Sequence, residues 1–152
     1  METKIKIGTI VRTALEMFDD FRLDDNVLLF PDEEAGVEKA IKEVAPKVAE
    51  VARRYKLPKR AVAAITLAVA MSRYLSFTYI QLECRCKAGR IVKVMEELGF
   101  KRVRDKCAKE IVEGAIAARW NTAEEFFEAL GRNYVVLDLP HEDLLIFEPI
   151  EE

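Results

Sequence analysis

Residues 58–82 read PKRAVAAITLAVAMSRYLSFTYIQL, and the fold class turns on how they are read. From Ala61 to at least Arg73, and to Glu83 at its longest, the stretch is apolar nearly all round, which marks a helix enclosed by other elements. Pro58 suits the start of that helix, where its missing amide proton costs nothing. Beyond it, Tyr74 to Leu82 concentrates aromatic and β-branched residues, so helix and strand both stay open there. On the helical reading the expected architecture is mainly α: a compact multi-helix bundle around a central apolar helix at about 58–82, with a small C-terminal β-hairpin. Ala61 to Leu82 also reaches the roughly 20 residues that a membrane span needs. Arg73, Gln81, two Ser and two Thr weigh against spanning, and the remaining helices suffice to bury it.

Upstream, Lys4 to about Arg22 carries Ile7, Ile10, Val11, Ala14, Leu15 and Phe18 at three- and four-residue spacing, the pattern of a helix with one buried face. Val27 to Phe30 is a short apolar run before Pro31, either a strand or an extended linker. A second helix opens at Asp32 or Glu33 with Val37, Ala40, Ile41 and Val44 on one face. Pro46 is expected to end or kink it, and a third helix to run from Pro46 to about Tyr55.

Downstream, Arg90 to Leu98 reads as a short helix terminated by Gly99 in a left-handed cap. Phe100 to Arg104 reads as extended, and Lys106 to Arg119 resumes helical spacing through Ile111, Ala115 and Ala118. Asn121 or Thr122 caps a last helix, with Thr122 and Glu125 in capping-box spacing and Gly131 as its stop. Tyr134 to Leu139 and Leu144 to Ile150 are β-rich runs joined by Pro140, His141, Glu142 and Asp143, which reads as a terminal hairpin. There is no internal repeat or long linker, so residues 1–152 are expected to form a single domain.

The chain is 51% hydrophobic and 34% charged, within the globular range and outside the disordered one. It holds 19 Glu and 12 Lys but one Gln and three Asn, a bias that leans towards a thermophile source. The first 20 residues lack a continuous apolar segment, so a cytoplasmic location is expected. The formal net charge of −3 hides a strong segregation. Residues 1–52 carry a net −5 and 110–152 a net −9, whereas 53–109 carry 15 Lys or Arg against four acids, a net +11.

That basic segment holds two clusters: Arg53, Arg54, Lys56, Lys59 and Arg60, then Arg85, Lys87, Arg90, Lys93, Lys101, Arg102, Arg104, Lys106 and Lys109. Such clusters neutralise phosphates and release counterions, and Tyr55 and Phe100 among them would stack on bases if exposed. The competing reading is that these cations pair with the acidic ends, within the fold or between copies. Around the first cluster, Val51-Ala52-Arg53-Arg54-Tyr55-Lys56-Leu57-Pro58-Lys59-Arg60-Ala61-Val62-Ala63-Ala64-Ile65 resembles a helix-turn-helix over about 20 residues. Ala52, Leu57, Val62 and Ile65 fall at that motif's spacing. Lys56 departs from it, standing where the motif commonly has Gly. Ala63, Ala64 and Thr66 depart too, since base edges need Arg, Asn or Gln with reach. Groove reading is thus not expected; the segment reads first as a structural helix corner, with phosphate contact by Arg53, Arg54, Lys59 and Arg60 as the alternative.

Signals of catalysis are absent from the sequence. Cys84, Cys86, Cys107 and the single His141 are enough in number for a tetrahedral zinc site. Cysteines two apart, however, point to different sides of a helix and to opposite faces of a strand. Buried apolar thiols, or a disulfide of Cys107, are the expected alternatives. His141 falls in the hairpin loop, away from any thiol partner. Glu110, Glu113, Glu124, Glu125 and Glu128 lack the Glu-x-x-His pairing of a di-iron bundle and read as a solvated face. There is no phosphate loop, dinucleotide fingerprint or nucleophile elbow. Trp120, Phe126 and Phe127 read as core. The sequence expectation is a non-enzymatic, nucleic-acid-associated protein without metal or cofactor, contacting phosphate backbone through 53–109, or else a self-assembling interaction module.

Overall fold

The computed structural model describes residues 5–6, 28–29, 31–82, 86–117, 126–139 and 142–150. Ile5–Lys6 (β1) pairs antiparallel with Leu28–Leu29 (β2). The order then runs Pro31–Arg54 (α1), Lys59–Ser72 (α2), Phe77–Gln81 (β3), Ala88–Glu97 (α3), Phe100–Arg102 (β4) and Lys106–Ala117 (α4). Helical residues 126–130 precede Tyr134–Asp138 (β5) and Leu145–Pro149 (β6). The expected helical bundle is thereby corrected: the protein is α/β, built on a four-stranded mixed sheet of order β3-β5-β6-β4.

The correction begins inside 58–82. The helix stops at Ser72, whose hydroxyl donates to the Val69 carbonyl at 2.7 Å, while the Asn133 side-chain amide donates to the Ser72 carbonyl at 2.6 Å. After a turn at 73–76 the chain re-emerges as β3, parallel to β5 with Phe77 opposite Tyr134 and Gln81 opposite Asp138. Phe77 to Gln81 needs a partner 57 residues away to be a strand, and no local pattern announces that partner. The terminal hairpin is likewise no appendage. Its two strands are the centre of the sheet, with Val135 opposite Phe147 and Leu137 opposite Leu145, and β4 extends it on the far side of β6.

Both faces of the sheet are covered. On one face Val135, Leu137, Leu145 and Phe147 pack with Val44, Val48 and Val51 of α1, Ala64, Ile65 and Ala68 of α2, and Ile91, Val94 and Met95 of α3. On the other, Tyr134, Val136 and Ile146 pack with Ala108, Val112 and Ala115 of α4 and with Phe127. A strand buried on both sides reads as a continuous apolar run, which is why Tyr134 to Leu137 shows no alternation.

Three further expectations change. α1 runs unbroken through Pro46, so there is one helix where two were expected. Ile5 and Lys6 lie in a strand rather than a helix; the other positions of the expected first helix lie outside the described residues, as do Asn121, Thr122 and His141. Among the described residues no helix is long and apolar enough to cross a membrane. The end signals at Gly99 and Gly131 hold, with φ of 94° and 65°.

Candidate nucleic-acid interface

The first basic cluster is built by a helix C-terminus. Arg53 and Arg54 close α1, and the chain leaves through Lys56 at φ 56°. The Leu57 amide donates to the Ala52 carbonyl and the Lys56 amide to the Arg53 carbonyl, both at 3.1 Å. This is the Schellman pattern, which places its left-handed residue at Lys56, the position where the helix-turn-helix commonly has Gly. Lys59 and Arg60 then open α2, with Pro58 at the N-cap and no side-chain cap.

The corner does not offer a recognition helix. From Ala61 to Ser72 every residue of α2 except the half-buried Val62 is buried, and Thr66 spends its hydroxyl on the Val62 carbonyl. A helix enclosed in the core has no face to lay in a groove. Phe100 is buried against the same core, so it is not a stacking platform. Tyr55 is half-buried, and its hydroxyl bonds Glu97, which together with burial holds its pKa above 10.0.

The second cluster frames one edge of the sheet. α3 packs on β4 and β6 on one face, and α4 starts directly after β4 on the other. Lys87 at the N-cap of α3, then Arg90 and Lys93, are exposed along the outer side of that helix. The stripe ends at Glu97, which pairs with Arg54 at 3.0 Å and so links the two clusters. On β4, Lys101 is exposed and Arg102 half-buried; Arg104, Lys106 and Lys109 are exposed beside them. Arg85 lies outside the described residues. Lys101 and Arg102 also blunt a three-residue edge strand, a structural service that charged side chains commonly perform.

Among the described residues the expected alternative, pairing of the basic segment with acidic ends, is seen at Lys101 and Arg73. Lys101 bonds Glu148 at 3.3 Å, and Glu148 lies 4.0 Å from Arg132. Arg73 bonds Glu43 at 3.3 Å. Among the described residues Arg53, Lys56, Lys87, Arg90, Lys93, Arg102, Arg104, Lys106 and Lys109 form no ion pair. Local helix energetics also runs against them. The first turns of α2, α3 and α4 hold no acidic residue. Cations there oppose the helix dipole at about 0.3–1 kcal/mol each. Only α4 answers with a cap, the Asp105 carboxylate accepting from the Cys107 amide at 3.1 Å.

Two features were invisible in the sequence. The Tyr79 hydroxyl donates to the Asp138 carboxylate, joining β3 to β5, and Arg132 meets Lys101 at Glu148. Both follow from strand register, which brings residues 59 and 47 apart onto one face. The thiol expectations change as well: Cys107 is free and exposed rather than buried or paired, and Cys86 is disulfide-bonded. Among the described residues no group of three or more His, Cys, Asp or Glu is placed to hold a metal. Comparison of the chain with protein-family models, with curated proteins and with solved structures finds no match.

Proposed function

We propose that the protein binds the phosphate backbone of nucleic acid, without reading base sequence, through the cationic surface around β4, α3 and the α1–α2 corner. The observation that carries this reading is the set of exposed cations without carboxylate partners at the starts of α3 and α4, Lys87, Arg90, Lys106 and Lys109, where folding alone would favour Asp or Glu. Residues that oppose local stability concentrate where function demands them. The burial of α2 supports a grip on phosphates rather than a groove-inserted helix. The same reading places the protein in the cytoplasm, as a nucleic-acid-associated component of a larger assembly.

Fluorescence anisotropy with a labelled 20-nucleotide single strand and the matching duplex, in DNA and RNA, tests it. The logarithm of the binding constant should fall linearly with that of salt concentration, with a slope of roughly 0.7–0.9 per phosphate neutralised. Arg90→Glu, Lys93→Glu and Arg104→Glu should each weaken binding to all four probes and lower the slope by about one. Lys47→Glu, exposed on α1, should change little. Affinity indifferent to salt and to the three reversals defeats the proposal.

Self-assembly is the second reading, and the exposure of Phe126, Leu130 and Ile150 at 48%, 50% and 52% favours it. Sedimentation at low and high salt separates the two: a monomer under both conditions removes assembly and leaves backbone binding standing.

A further inference from the structure

The two cationic clusters meet at one carboxylate. Glu97 pairs with Arg54 at 3.0 Å and accepts a hydrogen bond from the Tyr55 hydroxyl, so a guanidinium and a phenol at the end of α1 converge on the end of α3. On the backbone-binding reading, on which this inference rests, we propose that Arg54 and Tyr55 form a subsite for one backbone phosphate. Glu97 fills that subsite in the free protein, and nucleic acid takes it by displacing the carboxylate.

Three observations carry this. The donors suit a phosphate as well as a carboxylate, since a guanidinium offers a charged fork and a hydroxyl adds a further donor. They are also held in place: the Tyr55 ring and Leu98, the neighbour of Glu97, both pack against the main core.

Local helix energetics runs against Glu97. It lies in the last turn of α3, which holds no basic residue, at the negative end of the helix dipole. An anion kept there serves a partner outside its own helix.

The pair is also easily parted. The side chains of Arg54 and Glu97 are 55% and 32% exposed, and an ion pair so open to water contributes little to stability. Arg53 and Lys56 flank Arg54 and Tyr55, exposed and with no carboxylate partner among the described residues. Positive charge therefore remains after Glu97 is matched and draws the phosphate in. The phosphate then takes the Arg54 guanidinium and the Tyr55 hydroxyl while Glu97 turns out to water, so the carboxylate holds the affinity down.

The test measures binding of the full chain to the labelled duplex at one low salt concentration, together with the urea midpoint of each variant. Glu97→Gln should bind roughly two- to five-fold more tightly than the wild type, the strength of one exposed ion pair. Glu96→Gln removes the same charge one position away and should change affinity by less than about two-fold. With Arg54→Gln already present, the gain from Glu97→Gln should fall to that of Glu96→Gln. Tyr55→Phe added to Glu97→Gln should weaken binding by about two-fold or more. Equal gains from the two glutamine variants, a gain that survives Arg54→Gln, or a lowered urea midpoint for Glu97→Gln without tighter binding overturns the proposal. In each of these cases a salt-dependent wild type leaves backbone binding standing, whereas no binding by wild type or by Glu97→Gln overturns both.

Discussion

At the scale of single residues, Lys56 shows how one backbone angle can be at odds with its side chain. Its φ of 56° ends α1 in the left-handed region, where a Cβ is crowded and Gly is not. Lys56→Gly is therefore expected to raise the stability by about 0.5–1 kcal/mol, measured by urea unfolding, the relief of strain exceeding the added freedom of the unfolded chain. A loss of stability would mean that the Lys side chain holds the corner. Tyr55 and Tyr134 both titrate above 10.0, the first mainly by donating its hydroxyl to Glu97 and the second mainly through burial. A raised folded pKa means that their neutral forms support the fold below about pH 10 and that this support is lost as pH climbs through the folded values. Ultraviolet titration of tyrosinate should show Tyr55 and Tyr134 ionising late, and Glu97→Gln should return Tyr55 towards the ordinary value while leaving Tyr134 in place.

At the scale of elements, α1 carries a proline in its interior. Pro46 is exposed, removes one hydrogen bond of the helix and crowds the preceding turn. Pro46→Ala is expected to stabilise the protein by about 1–3 kcal/mol, read from the midpoint of chemical denaturation. The helical segment 126–130 behaves in the opposite sense. Phe127 is fully buried, stacks on Phe77 at 4.9 Å and meets Tyr134 edge-on at 5.3 Å. It fixes the second face of the sheet, so Phe127→Ala should cost about 3–5 kcal/mol. The helix stops at Gly99 and Gly131 were legible beforehand, because a left-handed cap is a local requirement with a local residue preference. The strand at Phe77–Gln81 was one of two open readings, left undecided because its backbone pairs with β5, tens of residues away.

At the scale of the whole molecule, the last strand in sequence is an inner strand in space. β6 lies between β5 and β4, and Leu145 and Phe147 sit in the main core. Deleting residues 143–152 should therefore abolish cooperative thermal unfolding, whereas loss of a peripheral hairpin would leave a folded remainder; circular dichroism distinguishes the outcomes. The cationic surface belongs to this scale too. Its members come from two helices, an edge strand and a corner. Charge segregation along the chain pointed to the segment; the fold sets it around the β4 edge, with α3 on one face of the sheet and α4 on the other.

What the order of residues decided alone is whatever neighbours within a few positions can enforce: the apolar helix that starts near Ala61, the glycine stops, the strand character of Tyr134 to Leu139, and the excess of cations between Arg53 and Lys109. Tertiary structure decided the rest. It resolved Phe77–Gln81, open between helix and strand, as a strand, moved the hairpin to the centre of a sheet, and left Arg102, Arg104, Lys106 and Lys109 beside β4 without carboxylate partners. The physical reason is that strand pairing joins residues tens of positions apart, and hydrogen bonds of that span leave no periodic mark in a sequence.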